Sequence, residues 1–315
     1  MDAQKQDDRR CVGGHLARRV GGNSRALHIA HQNEQAAHVR AIDRDEKMAD
    51  LLVEAGPLYD IGRPPEEAES ALLESVRISR SLVDQYPERT RFAWLLGKGY
   101  SNLGVARRRQ QQYEQAEEDY QNSIEVISAL AGRAPENSDY AHGLAGSYGN
   151  LAALYLHMGD DRLLEDPTAD FSAMPEFAKA LEAIKKSLDI RNQPPLAGDE
   201  CPEFRYALAG DLVNYGSVLR RFERYEEAAT TLDRGVQIAG NLVGKFPRNV
   251  DYVVLLAQAH VNLGQVRFVQ ARDEEAAQAF SEALDILGPA IESAPREGRL
   301  VETLLAASDG RAHSL

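Results

Sequence analysis

The chain has 315 residues, of which 43% are hydrophobic, and its formal net charge at pH 7 is −13. This acidic balance disfavours nucleic acid as a partner, because phosphate binding needs a basic footprint, and no run approaches the roughly 18 consecutive apolar residues of a membrane helix. Cys11 and Cys201 have neither metal-ligand nor disulfide spacing, so we expect a reducing, cytoplasmic location.

Residues 1–30 contain two Gly-Gly pairs, scattered arginines and few apolar side chains. Such a segment cannot bury enough apolar surface to become ordered, so it is predicted to be a flexible leader. The composition then changes, and residues 31–295 are predicted to form one folded array. His28, His31 and His38 have spacings that metal ligands use, but no Cys or Glu completes a site, so we expect no metal.

Three series of residues recur along this array with one spacing. Asn102-Leu103-Gly104 recurs, with small changes, at residues 150–152, 214–216 and 262–264. The other two series are Ala68, Ala116, Ala180, Ala228 and Ala276, and Pro87, Pro135, Pro247 and Pro295. The step is 48 residues (102 to 150), with one step of 64 (150 to 214). A period shared by unrelated residue types indicates a duplicated unit, with copies at about 40–87, 88–135, 136–199, 200–247 and 248–295.

Within the unit 88–135, apolar residues recur every three or four positions in each half, which is typical of two helices. Gln110-Gln111-Gln112 separates the halves, and Gly132 and Pro135 are the expected stop signals. Each unit is therefore predicted to be a helical hairpin with about twenty residues per helix. A small residue recurs where two helices are expected to cross closely, at Gly56, Gly104, Ala152, Gly216 and Gly264.

This pattern resembles the tetratricopeptide repeat (TPR) family, in which an aromatic residue, Leu-Gly, alanine, a second aromatic residue and proline follow in that order. Here these residues are Tyr100, Leu103-Gly104, Ala116, Tyr120 and Pro135. The resemblance covers about residues 40–295. It implies an all-α, right-handed superhelical solenoid of about five antiparallel helix hairpins, with residues 296–315 as a C-terminal capping helix. The family's usual unit has about 34 residues, and this longer one looks like arrays attached to some bacterial serine/threonine kinases.

The 64-residue step places 16 extra residues (64 − 48) between the two helices of the third unit, at about 161–176. Pro167 and Pro175 in this segment predict a loop or a short helical excursion. Insertions in repeat arrays collect at hairpin turns, often on the side that binds a partner. A tolerated surface insertion is the alternative, and the sequence leaves both open.

Catalytic signatures are absent from the sequence. It contains no kinase Gly-rich loop, no His-Arg-Asp and no Asp-Phe-Gly. Gly143, Gly146 and Gly149 lie inside a helical pattern with no preceding strand, so they do not predict a nucleotide site. We expect a protein that is not an enzyme and needs no cofactor.

The resemblance implies that the first helices of the units line a concave groove, which in the family holds peptides or partner helices. Asparagine stands there once per unit, at Asn102, Asn150, Asn214 and Asn262. An amide both donates and accepts hydrogen bonds, so a ladder of amides can hold an extended peptide backbone. Alternatively, each asparagine forms its hydrogen bonds within the array.

Beside the ladder stand five cations, Lys98, Arg108, Arg109, Arg220 and Arg221. One interpretation is a pocket for the carboxylates or phosphates of an acidic partner, because guanidinium groups bind such oxygens in pairs. The other is that these cations offset the dipoles of the helices at whose ends they lie.

The sequence therefore predicts a non-catalytic scaffold that binds a protein or peptide, an acidic one under the first interpretation, in a concave groove. The alternative is the regulatory TPR portion of a serine/threonine kinase signalling system without the kinase domain. No pattern in the sequence predicts an oligomeric state.

Overall fold

The computed structural model describes residues 37–53, 65–166, 168, 170–294 and 297–314. The predicted flexible leader at 1–30 lies outside the described residues, as do Gly56 and Pro295. In the described part all regular structure is helical, with eleven α-helices and one short 3-10 turn.

The helices follow one another along the chain. The described part of α1 covers residues 37–53. The others are α2 (Pro65–Gln85), α3 (Thr90–Arg109), α4 (Tyr113–Arg133), α5 (Ser138–Glu165), α6 (Pro175–Arg191), α7 (Pro202–Arg221), α8 (Tyr225–Lys245), α9 (Val250–Val269), α10 (Asp273–Ser293) and α11 (Gly298–Ser314). Odd-numbered helices from α3 to α9 are the first helices of the predicted hairpins, and the even-numbered helices that follow them are the second helices.

Packing follows the order of the chain. Each helix from α2 onwards packs against the next one, and in addition α3 contacts α5, α5 contacts α7, α7 contacts α9 and α9 contacts α11. The first helices therefore lie side by side in one layer and the second helices cover them, as in a helical solenoid. The prediction of an all-α TPR-like solenoid is confirmed.

The turns inside the hairpins also repeat. Gln111, Glu223 and Ala271 occupy equivalent positions between the two helices of their units, and all three have φ near +60° (60°, 57° and 56°). The equivalent residue of the third unit, Gly159, stays helical, so α5 continues to Glu165. The segment 161–176 thus begins as helix, contains the 3-10 turn Phe171–Ala173, and ends as α6 begins.

A repeated hydrogen bond joins the two helices of each of three hairpins. Ser75, Ser123 and Ser187, buried on the second helices, donate to main-chain carbonyl oxygens of the first helices at 3.0, 2.8 and 2.7 Å. The acceptors are Ala49, Gly97 and Ala145. Because each buried hydroxyl has a partner, its hydrogen bond offsets the cost of removing the hydroxyl from water.

Close helix crossings explain the recurring glycines. A Cβ atom at Gly104 would lie 2.7 Å from the ring of Tyr120, and one at Gly216 would lie 2.5 Å from Leu232. Both neighbours are fully buried, so neither can move aside freely. Glycine is tolerated in these helix interiors, where it costs about 1 kcal/mol relative to alanine, because a larger residue does not fit.

A buried charge network crosses from the third unit to the fourth, and the sequence analysis did not predict it. Asp211 on α7 accepts hydrogen bonds from Nε of Arg191 (2.6 Å) and from the hydroxyl of Ser187 (2.5 Å), both on α6. Nη1 of Arg191 lies 3.1 Å from Nδ1 of His142 on α5, and the His142 ring stacks on Phe204 at 4.4 Å. Burial raises the pKa of Asp211 above its ordinary value, and the Arg191 charge and the two hydrogen bonds offset this only in part.

Acid is expected to destabilise the protein through His142. Burial, and then the Arg191 charge, lower the pKa of His142 from 6.5 to about 4. The unfolded chain binds this proton below pH 6.5, whereas the folded chain binds it only near pH 4. The free energy of unfolding therefore falls between these values, by about 2 kcal/mol at pH 4.5.

This prediction is checked by urea unfolding of the natural protein and of His142→Gln at pH 7 and pH 4.5. The variant is expected to lose about 2 kcal/mol less than the natural protein over this range. Burial raises the pKa of Asp119 to about 6, so this group makes the free energy of unfolding rise as the pH falls. Asp119 is present in both proteins, and its effect cancels in the comparison. Equal losses would contradict the assignment to His142.

Candidate protein-binding groove

Four first-layer helices enclose the candidate site. A cavity of about 430 Å³ opens between α5, α7, α9 and α11, and we call it the groove. Its lining is Ala153, Leu156, His157 and Asp160 from α5; Val213, Asn214 and Ser217 from α7; Gln258, Val261, Asn262 and Gln265 from α9; and Glu302, Thr303 and Ala306 from α11. No second helix of a hairpin contributes to it among the described residues.

The groove combines an apolar floor with amide side chains. Val213 and Val261 are buried at equivalent positions of successive units. Four amides accompany them, from Asn214, Gln258, Asn262 and Gln265. Each amide offers two donors and one acceptor oxygen, so the groove presents hydrogen-bonding groups suited to a peptide main chain.

The asparagine ladder divides into two parts. Asn102 donates to the main-chain oxygen of Val53 (3.0 Å), and Asn150 donates to the hydroxyl of Ser101 (3.2 Å), so both bind the preceding first helix. Asn214 and Asn262 line the groove, and neither side chain forms a hydrogen bond with the part of the chain that is described. Two of the four predicted amides are therefore available to a partner.

None of the five predicted cations belongs to the lining of the groove. Arg221 pairs with Asp160 across to α5, and its guanidinium lies 4.7 Å from the centre of the Phe177 ring. Arg220 is partly buried beside it, and burial lowers its pKa. Arg109 is exposed at the end of α3.

The two other predicted cations, Lys98 and Arg108, are partly buried on α3. Burial, and then the charge of Arg108, lower the pKa of His157 in the groove lining, so Arg108 lies close to that residue. Arg108 and Arg220 stand at the C-terminal ends of α3 and α7, where their charges also favour the helix dipoles. Arg108 thus lies near His157, and Arg220 and Arg221 lie near Asp160, two residues of the α5 wall of the groove.

The opposite wall of the groove is acidic. Glu302 on α11 lines it, and no lysine or arginine is part of the lining within the described residues. Asp160 is neutralised by Arg221, which leaves Glu302 as the unpaired charge of the lining in the part of the chain described. The lining therefore carries a single unpaired charge, on α11, whereas arginines of α3 and α7 approach the α5 wall from outside the lining.

Neither a metal-binding cluster nor a membrane-spanning helix occurs among the described residues. There is no group of three or more His, Cys, Asp or Glu residues there that could hold a metal ion. His28 and His31 lie outside the described residues, so the histidine spacing noted in the sequence has no structural counterpart here. None of the described helices has the length and apolar character required to span a bilayer.

Comparison with protein families identifies the repeat. Residues 97–129, which cover the end of α3 and most of α4, match the family model of the tetratricopeptide repeat. Over these residues the chain is similar to a tetratricopeptide repeat. The recognition made from Leu103-Gly104, Ala116 and Tyr120 is therefore confirmed. No curated protein matches the sequence.

Several solved structures are similar to this chain. BtubC (BKLC) from P. vanneervenii is 18% identical, with a TM-score of 0.51, and the match covers 80% of this chain and 92% of that one. A thermophilic TPR protein of Thermus thermophilus is 13% identical, with a TM-score of 0.39, covering 82% and 98%. Yeast Tom70 is 18% identical, with a TM-score of 0.32, covering 86% and 55%. At such identities the similarity concerns the fold alone.

Sequence reasoning missed part of the groove. Gln258, Gln265, Ser217 and Glu302 were not predicted to line it. The signal was the TPR register itself, because Ala153, Ser217 and Gln265 are separated by the same steps of 64 and 48 as the asparagines (153 to 217, 217 to 265). Extending the register would have found Ser217 and Gln265, whereas Gln258 and Glu302 have no groove-lining equivalent one step earlier (residues 210 and 254).

Proposed function

We propose that this chain is a non-catalytic scaffold that binds a segment of another protein in the groove between α5, α7, α9 and α11. The observation that carries the proposal is the set of groove amides above the buried valines. The Asn214 and Asn262 side chains form no hydrogen bond within the described residues, although both lie in a concave site. A polar group that lacks a hydrogen bond within the protein can exchange its hydrogen bonds with water for hydrogen bonds with a peptide main chain.

An extended peptide or a partner helix fits this chemistry. The valine floor favours an apolar side chain of the partner, and the amides fix its main chain without requiring a particular sequence. Glu302 on α11 and Arg220 at the end of α7 would orient a charged segment, with basic residues towards Glu302 and acidic residues towards Arg220. The acidic-partner hypothesis is thereby restricted to one end of the groove.

The kinase-associated regulatory role stays a prediction from the sequence resemblance. Within the described residues we find no feature that favours it over a general scaffold. Both roles use the same groove, so the experiment below applies to both.

Site-specific photo-crosslinking in cells tests the proposal. A photoreactive amino acid at Gln258, exposed in the groove, is expected to capture a partner, since this side chain faces the occupant. The matched control carries the same group at Gln278, exposed on the second helix α10. Mass spectrometry of the adducts identifies the partner and the crosslinked segment.

Affinity measurements with the captured segment then test the amides. Alanine at both Asn214 and Asn262 is expected to weaken binding about tenfold, because each lost hydrogen bond contributes about 0.5–1.5 kcal/mol. Alanine at both Gln237 and Gln278, exposed on the second helices, is the control and is expected to leave the affinity unchanged. Adducts that form from Gln278 but not from Gln258 would place the binding surface on the other layer.

A further inference from the structure

The link between the third and fourth hairpins differs from the other described links between hairpins. Helices α4 and α5 are joined by four residues (134–137), and so are α8 and α9 (246–249), whereas ten residues (192–201) join α6 to α7. Pro194 and Pro195 follow soon after the end of α6, and proline cannot continue a helix without losing a hydrogen bond. The second helix of the third unit is therefore shorter at its C-terminal end than those of the neighbouring units.

A cavity of about 250 Å³ lies beside this shortened end. Three arginines from three helices line it, Arg191 of α6, Arg205 of α7 and Arg234 of α8. Asn192 and Asp199 of the link also belong to the lining. This cavity shares no residue with the groove, so it is a separate site.

The positive charges of the arginines that line the cavity are not all neutralised by carboxylates of the protein. Arg191 is held by Asp211, whose carboxylate neutralises it inside the network. Arg234 donates to the amide oxygen of Asn192 at 3.0 Å, which is a neutral partner. The Arg205 side chain has no ion pair or hydrogen bond with any described residue.

The one carboxylate of the lining is already engaged. Oδ1 of Asp199 accepts a hydrogen bond from the main-chain nitrogen of Cys201 at 2.8 Å. Counting Asp199 as one negative charge against Arg205 and Arg234, the cavity keeps a positive charge in a chain whose net charge is −13. Such local excess, in a concave site, raises the concentration of anions.

We propose that this cavity binds a phosphate group through Arg205 and Arg234, with Arg191 as the fixed inner wall. Guanidinium groups stay charged at all physiological pH values and present paired donors that match phosphate oxygens. A phosphate monoester carries a charge of about −1.5 to −2 at pH 7, and the positive charge that Arg205 and Arg234 leave after Asp199 is counted attracts it without neutralising it fully. The cavity has the volume of about eight water molecules at about 30 Å³ each, enough for a phosphate and part of its hydration shell.

Isothermal titration of the full chain with inorganic phosphate, at constant ionic strength in chloride, tests this site. Saturable binding at one site per chain is expected. The double variant Arg205→Gln/Arg234→Gln is expected to bind at least tenfold more weakly. Arg248→Gln is the matched control, because Arg248 is exposed in the neighbouring link 246–249 and lines neither cavity, and it is expected to change the affinity less than twofold.

Further measurements separate the possible results. An unchanged urea midpoint of the double variant shows that its weaker binding is not a loss of fold. Phosphoserine binding more tightly than inorganic phosphate would identify a phosphorylated side chain as the ligand, and the reverse order would identify free phosphate. Absent saturation, equal weakening by Arg248→Gln, or equal binding of succinate would each overturn the proposal. Because the groove shares no residue with this cavity, failure here leaves the proposed scaffold function untouched.

Discussion

Replacement of Asp211 by alanine is expected to lower the free energy of unfolding by about 3–5 kcal/mol, the usual effect of removing one partner of a buried ion pair. The Arg191 side chain is only 4% exposed, and it would remain charged without its carboxylate partner. Urea unfolding followed by far-UV circular dichroism measures the loss.

Two comparisons make this prediction specific. Asp251→Ala breaks a pair with Arg299 in which both side chains are 51% exposed, and its expected effect is below about 1 kcal/mol. Replacing both Asp211 and Arg191 by leucine removes the pair without leaving a lone charge, so most of the stability is expected to return. If Asp211→Ala destabilises the protein no more than Asp251→Ala does, the network contributes nothing beyond a surface pair.

Replacement of Phe280 by alanine is expected to lower the free energy of unfolding by about 3–5 kcal/mol. The side chain is 2% exposed, and its ring lies between the glycines of two helices. A Cβ atom at Gly264 on α9 would lie 2.8 Å from the ring, and Gly310 on α11 approaches the ring as well. The vacated space would therefore loosen the contacts of α10 with both α9 and α11.

Leu305→Ala on α11 is the control for this variant. Leu305 is 58% exposed, so its truncation is expected to change the stability by less than about 0.5 kcal/mol. Hydrogen exchange provides a second measurement, because loosened packing of α11 is expected to speed the exchange of its amides. A loss below about 1.5 kcal/mol for Phe280→Ala would mean that α9 and α11 close on the space left by the ring.

The 48-residue period of the sequence was sufficient to predict the hairpins. The small residues at helix crossings and the stop signals at helix ends have their effects within a single unit, so their spacing alone reveals them. Gly104 recurs where Tyr120 needs room, and this requirement is visible in the spacing alone. The partners of the asparagines were not predictable in the same way. Asn150 finds the hydroxyl of Ser101, whereas Gly149 and Val213 stand at the equivalent of Ser101 for Asn214 and Asn262 and offer no side-chain acceptor.

The buried ion pair left a signal that becomes readable only when the units are aligned with one another. Arg191 stands where the other units have the buried apolar residues Ile127, Ala239 and Leu287 and the small buried Ser79. Asp211 stands where they have Gly99, Ser147 and Ala259. Opposite charges replacing small or apolar residues in two neighbouring core positions predict an ion pair, but neither residue is informative alone.

This pair also limits how the chain can change by gaining or losing whole hairpins. Arg191 belongs to the third hairpin and Asp211 to the fourth, so the two must be inherited together. Excision of either hairpin by recombination would strand a charge in the interior of the remaining array. Hairpins can therefore be added or lost before the third hairpin or after the fourth, but the third and fourth cannot be separated from each other.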